Sequence, residues 1–219
     1  MLTIGNGAFE QCENLASVTI AEGVTTLGSN LFGHCDALVD VNLPNSIELV
    51  ENNPFFACEK LETISLSSDH PYLELINGVL FSKPDHRLIC FPPALDCAEY
   101  SIPDGTEIVA GDAIRFNESL TTLAIPSSVT TLEGCAICNC HNLSDVTLSE
   151  GLRHLGLGMF GDSAVTRVRL PDSLESVDKY WGMGMMGERS IEYVVGPDSF
   201  ARQVCEENDM PFVLSSEVE

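Results

Sequence analysis

Apolar positions return along this chain at a step of 23 residues, and each return repeats the same order of residue types. The first unit reads Ile4, Ala8-Phe9, Cys12, Leu15, Val18, Ile20, Val24, and the second reads Leu27, Leu31-Phe32, Cys35, Leu38, Val41, Leu43, Ile47. A third starts at Val50, and after a longer stretch the register resumes at Val109 and again at Leu132. Two degenerate units, from Leu155 and from Val177, close a series of seven. Self-similarity at this period predicts a repeat solenoid, because one unit cannot bury its own apolar face and must stack on its neighbours.

Inside each unit the segment Leu-x-x-Val-x-Ile alternates with period two, which predicts a short strand with one buried face. Turn formers follow, as in Leu43-Pro44-Asn45-Ser46 and Ile125-Pro126-Ser127-Ser128; they stop the strand. A second apolar pair (Val24 with Leu27, Ile47 with Val50, Val129 with Leu132) then points inward. The Ala-Phe-x-x-Cys piece is too short for a free-standing helix and suits one helical turn with its Phe in the core. The expected fold is a right-handed coil with a parallel β-sheet on one face and short helical turns and turns on the others. At a strand spacing of about 4.8 Å, eight coils make a rod of roughly 40 Å.

One domain is expected over 1–219, with repeats in 1–66 and 103–195. Between them, 67–102 reads as a long coil with a β-hairpin hung on the solenoid: Asn77-Gly78 precedes Val79-Leu80-Phe81, Lys83-Pro84-Asp85 turns, and Leu88-Ile89-Cys90-Phe91 answers. Segment 196–219 reads as a cap. Ser199 is the expected N-cap of a helix burying Phe200, Ala201, Val204 and Cys205, with Asn208 ending it and Pro211 to Leu214 forming a closing strand. No comparable cap precedes Ile4, so further chain N-terminal to it is expected in the natural protein.

The Ala-Phe-x-x-Cys-x-x-Leu-x-x-Val-x-Ile motif at a 23-residue period resembles the BspA-like class of bacterial leucine-rich repeats, over nearly the whole chain. Asn77 to Phe81 and Gly196 to Phe200 are similar to segments that recur in that family. The resemblance implies a leucine-rich-repeat coil, a surface or secreted setting in bacteria, and adhesion or protein binding. Met1 leads straight into repeat positions, with no export signal before them. A cellular compartment is therefore not assigned.

Thirty-three acidic against ten basic residues give a formal charge of −23. Such a surface repels phosphate backbones and anionic lipids, so nucleic acid is not an expected partner. Hydrophobic residues make up 44% of the 219, enough for a continuous core, and no apolar run approaches the roughly 18 residues of a membrane span. No membrane insertion is expected, and the chain reads as a monomer.

Candidate chemistry is sparse. Cys135-x-x-Cys138-x-Cys140-His141 has the look of a thiolate cluster for zinc. In the repeat frame, however, Cys140 occupies the slot of Cys12, Cys35 and Cys58, filled by Asn117 and Ser163 elsewhere. The nine cysteines are expected to be mostly buried reduced thiols, and no metal is assigned; stacking would also bring Cys12, Cys35 and Cys58 to about 5 Å, within disulfide range. Gly182-Met183-Gly184-Met185-Met186-Gly187 spells the dinucleotide fingerprint, but no βαβ unit surrounds it, and no cofactor is expected.

No catalytic constellation appears: the five His have no consistent partners and no nucleophile elbow or phosphate loop is present, so no enzyme is expected. Asn117-Glu118-Ser119 and Asn142-Leu143-Ser144 fit the glycosylation pattern. On the sheet face Arg167 and Arg169 stand out, with Arg153 near in sequence, as a spot for a carboxylate-bearing ligand. The frame would place Arg167 beside Asp145 and Arg169 beside Glu192, so cross-strand pairing competes with that reading. Trp181, Met183 and Met185 (with Met186) suit either an adaptable apolar loop for a protein partner or a lid on the last coil. The function expected is a non-catalytic protein-interaction or adhesion module; the alternative is a structural spacer within a larger bacterial surface protein.

Overall fold

A computed structural model describes residues 1–179 and 191–218. Its front consists of three parallel sheets of three strands each. They are Ser17–Thr19, Asp40–Asn42 and Thr63–Ser65; Glu99–Ser101, Thr122–Ile125 and Asp145–Leu148; and Arg167–Arg169, Glu192–Val195 and Phe212–Leu214. Register follows the period: Val18 opposes Val41 and Val41 opposes Ile64, each 23 residues on. Central residues of these strands point into the core and their neighbours point out, which is what period-two alternation in a short strand demands. The ladder breaks between Asp145–Leu148 and Arg167–Arg169. There the sequence has dropped a residue between Ser163 and Val165, and loss of one residue takes a strand out of phase with its neighbour.

The inward apolar pairs, expected only as contacts, form strands of two further sheets. Leu2–Ile4, Val24–Leu27 and Leu49–Val50 pair in parallel at the N-terminal end. Ile108–Val109, Thr131–Leu132, His154–Leu155 and Ser176–Val177 do so further on. The expected helical turns are instead hydrogen-bonded turns. Residues such as Asn30, His34, Ala57 and Cys135 adopt left-handed φ values of 52–57°, which stops an α-helix from propagating. Donors on this face reach the next coil: Phe9 N donates to Leu31 O at 2.9 Å and Phe32 N to Pro54 O at 2.8 Å. The side chains stack too, with Phe9, Phe32 and Phe55 ring centroids 5.6 and 5.9 Å apart. At Ile114–Arg115 and Ile137–Cys138 the same segment becomes a two-strand ladder.

The long coil holds the expected hairpin, Val79–Ser82 against Arg87–Cys90, and adds to it a strand that the sequence pattern did not predict. It contains three strands, Leu73–Ile76, Val79–Ser82 and Arg87–Cys90, in an antiparallel meander. Asn77-Gly78 is the two-residue turn between the first two, with φ of 53° and 84°; positive φ at both positions is the hairpin geometry that Asn-Gly favours. Nor does the meander hang from the solenoid. Arg87–Cys90 pairs in parallel with Ile108–Val109, making the meander the first layer of a seven-stranded sheet. Leu73, Leu80, Ile89 and Cys90 pack into the N-terminal core, while Val79, Phe81, Leu88 and Phe91 pack into the C-terminal core. The reason is composition: both faces of these strands are apolar, so solvent exposure of either would be costly.

The cap forms as expected. Helix Phe200–Glu207 begins at Ser199, whose hydroxyl accepts from Arg202 N at 3.2 Å. It buries Ala201, Val204 and Cys205, with Asn208 at its C-cap. Phe212–Leu214 then adds the last front strand, in parallel with Glu192–Val195.

His70 fastens the entry to the meander and is wholly buried. Its Nδ1 accepts from Tyr72 N (3.2 Å) and Leu73 N (3.0 Å), so the proton sits on Nε2, which donates to Pro44 O at 3.0 Å. Lys83 Nζ donates to His70 O at 2.6 Å. Burial lowers the imidazole pKa, with Lys83 adding to the effect against the Pro44 hydrogen bond, Glu22 and Asp69. Because the folded pKa lies below the unfolded value of about 6.5, the unfolded chain binds more protons in that window. Stability is complete above it and is lost as pH falls toward the folded value, by at most about 1.4 kcal/mol per pH unit. Urea titrations at about pH 7.5 and about pH 5 should show a larger drop in midpoint for the wild type than for His70→Gln; equal drops would contradict this role.

Candidate functional site

The outward residues of the front sheets are short and mostly polar: Ser17 and Thr19, Asp40 and Asn42, Thr63 and Ser65, Asp145 and Thr147 are all exposed. Glu99 and Ser101 extend the row from a strand that the sequence reading had not placed on it. Parallel stacking sets their spacing, so this surface repeats along the molecule.

Arg167 and Arg169 both point outward from the strand Arg167–Arg169. Glu192 opposes Arg167 rather than Arg169, and Val194 opposes Arg169. Arg167 Nε donates to Glu192 Oε2 at 2.6 Å, whereas the expected neighbour Asp145 shares no ladder with it. The unit that runs from Arg167 to Glu192 is two residues longer than the period, which moves the register from 23 residues to 25. Arg169 is exposed and has no ion-pair or hydrogen-bond partner among the described residues. Arg153 lies elsewhere, just before the strand His154–Leu155, paired with Glu175 Oε1 at 2.6 Å. The three arginines are therefore not one cluster. Trp181, Met183, Met185, Met186 and the glycine fingerprint lie outside the described residues.

The cysteine slot is structural where stacking fills it. Cys35 Sγ donates to Phe9 O (3.2 Å), Cys58 Sγ to Phe32 O (2.9 Å) and Cys140 Sγ to Ile114 O (3.7 Å), each reaching the preceding coil. Burial pushes Cys58 up to about 12 and Cys140 up to about 11. Asn117 does the same work with its amide, giving hydrogen bonds to Pro92 O, Pro93 O and Leu95 O and accepting from Ser119 N and Leu120 N. Wholly buried, it is no acceptor for a glycan in the folded chain.

Cys135 and Cys138 behave differently. Their sulfurs and a carboxylate oxygen of Asp112 lie within 4.8 Å of one another. Cys140 and His141 do not join them: His141 Nδ1 faces Glu118 Oε1 at 2.5 Å on the surface. Arg115 NH1 instead donates to Asp112 Oδ1 at 2.5 Å and its Nε to Asn139 Oδ1 at 2.9 Å. Its guanidinium carbon sits 4.8 Å from the Phe56 ring centroid and 5.0 Å from that of Phe116. The sequence reading missed Asp112 and Arg115, although the 23-residue frame places them opposite Cys135 and Cys138.

The chain matches the BspA type leucine rich repeat region, in six copies over residues 1–95 and 90–183. It belongs to that family. Among solved structures, it is similar to a leucine rich cell surface protein from Faecalibacterium prausnitzii A2-165, with a TM-score of 0.70 and 21% identity over 96% of this chain. It spans 62% of that protein's length. The pneumococcal vaccine antigen PcpA gives a TM-score of 0.66 at 14% identity, covering 98% of this chain and 71% of that one. A leucine-rich repeat protein from Eubacterium ventriosum ATCC 27560 gives 0.59 at 19% identity, covering 91% and 67%. No curated protein matches the sequence. At these identities the likeness establishes the fold, and no helix among the described residues is long and apolar enough to cross a membrane.

The arginine geometry is testable. Arg167 and Glu192 are half-exposed, so a double-mutant cycle with Arg167→Ala and Glu192→Ala should give a coupling of about 0.2–1 kcal/mol. Arg169→Ala should leave the denaturation midpoint unchanged. A coupling between Arg169 and Glu192 equal to that of Arg167 would show the register to be wrong.

Proposed function

We propose that this chain is a non-catalytic protein-interaction or adhesion module that engages a protein partner across the outward face of its front sheets. The observation that carries the reading is Arg169, an exposed cation without a partner among the described residues, on a face otherwise built of short polar side chains. In a chain of net charge −23, an arginine kept out of ion pairs is the natural contact for a carboxylate on the partner, because the guanidinium binds it in two-pronged fashion. Family membership supports the reading, and the likeness to a leucine rich cell surface protein supports a surface setting. Arg167 stays in the proposal as the flank of this contact, held by Glu192; Arg153 belongs to a separate pair with Glu175. Trp181, Met183 and Met185 stay in it as apolar contacts on the strength of the sequence alone.

The test is affinity capture of surface-protein extracts on immobilised wild type, Arg169→Glu, Trp181→Ala and Arg153→Glu, with thermal midpoints measured for each. A partner held by wild type should bind Arg169→Glu about tenfold or more weakly, as for a contact worth about 1.4 kcal/mol or more. Arg153→Glu should bind it as wild type does. Equal capture by Arg169→Glu at an unchanged midpoint would remove this residue, and equal capture by every front-face variant would favour the spacer reading.

A further inference from the structure

We propose that Cys135 and Cys138 form a redox-active dithiol on the turn face, closed to an intramolecular disulfide by small-molecule disulfides of the glutathione class. Four features of the site point to this. First, the two sulfurs lie within 4.8 Å of each other, and Cys138 Sγ folds back to within 3.3 Å of Cys135 O. Rotation of the two side chains has to close that gap to the 2.03–2.05 Å of an S–S bond.

Second, the Cys138 thiol donates within its own turn, to Cys135 O, and not to the preceding coil. Cys35, Cys58 and Cys140 donate to carbonyls of the preceding coil, Cys90 lies in the meander and Cys205 in the cap. Left-handed φ at Cys135 is no signal here, since Asp112 at the matching position shares it.

Third, the surroundings favour a thiolate over a dication. Arg115, paired in register with Cys138, brings a permanent positive charge to the group and already occupies Asp112. Among the described residues a zinc ion would face that charge with two sulfurs and one engaged carboxylate, short of the four ligands of a structural site. A thiolate gains from the same charge.

Fourth, the two thiols are unequal. Cys135 retains 7% exposure against 1% for Cys138. The side-chain interaction with Cys138 lowers the pKa of Cys135 against burial and Asp112, with Arg115 assisting. The same interaction, with burial, raises that of Cys138. Cys135 is thus the attacking sulfur and Cys138 the resolving one. In the first step the Cys135 thiolate attacks one sulfur of the oxidant, forming a mixed disulfide and expelling one glutathione thiolate. Cys138 then gives its proton to that thiolate or to solvent and attacks Cys135 Sγ, expelling the second glutathione. Two protein thiols are oxidised to one disulfide while one glutathione disulfide is reduced to two thiols.

Reduced full-length protein is incubated with glutathione disulfide, alkylated and cut with trypsin. The peptide 116–153 contains Cys135, Cys138 and Cys140, and fragmentation assigns each. The expected product has lost two hydrogens between Cys135 and Cys138, has Cys140 alkylated, and reverts with dithiothreitol. In reduced protein at neutral pH, Cys135 should alkylate about tenfold faster than Cys140. Cys138→Ser should stop at a stable glutathione adduct on Cys135, read after circular dichroism has verified the fold; if that variant does not fold, the wild-type map decides. Recovery of Cys135 and Cys138 as unmodified thiols after oxidation would overturn the proposal. So would one zinc per chain that blocks alkylation of both, which would make the site a metal centre.

Discussion

Every coil of this molecule depends on hydrogen bonds it cannot make alone. Strand donors on the front, paired strands behind and turn donors such as Phe32 N on the third side all end on the neighbouring coil. Side chains follow the same rule: the slot thiols of Cys35 and Cys58 and the amide of Asn117 reach back one coil, and the Phe9, Phe32 and Phe55 rings stack across three. A buried donor or acceptor left without its partner costs about 1–3 kcal/mol. The 23-residue period is therefore held by backbone and side chains together.

The long coil breaks that period and has to satisfy two neighbours at once. On one side of the molecule the meander does so by turning one apolar face to each core. On the turn face the meander contributes little, and the coil of Asn53 and Phe56 meets that of Asp112 and Phe116 directly. Asn53 Nδ2 donates to Asp112 O at 2.7 Å, Phe56 and Phe116 lie edge to face at 6.0 Å, and Arg115 lies over both rings. This seam is also where the Cys135 and Cys138 pair sits. Most of the described arginines are bound in pairs of this kind: Arg87 with Glu133, Arg115 with Asp112, Arg153 with Glu175, Arg167 with Glu192 and Arg202 with Glu206. Arg169 is the exception on which the functional proposal rests.

Much of the architecture was legible because repetition tests itself: a position such as Val18, Val41 or Ile64 is read three times in one slot. The cap was legible for a different reason, since Ser199 and the spacing of Ala201, Val204 and Cys205 carry helix signals that need no partner. What escaped was whatever depends on two-sided burial or on phase. Leu73 to Ile76 alternates weakly and reads as loop until Asn77-Gly78 is recognised as a turn between two strands rather than the start of one. The partner of Arg167 was misread because the 23-residue step was carried through a unit that takes 25 residues from Arg167 to Glu192. Asp112 and Arg115 were missed since neither belongs to a sequence motif; only stacking brings them to the two thiols.

The meander as an internal layer, joining two cores rather than hanging from them, is the claim on which the continuity of the stack depends. Native-state hydrogen exchange in low denaturant measures it directly. Amides of Leu80, Phe81, Leu88 and Ile89 should exchange only with global unfolding, at the same free energy as those of Val41 and Leu123. Exchange of the meander amides at a much lower free energy, with the strands around Val41 and Leu123 still protected, would contradict it.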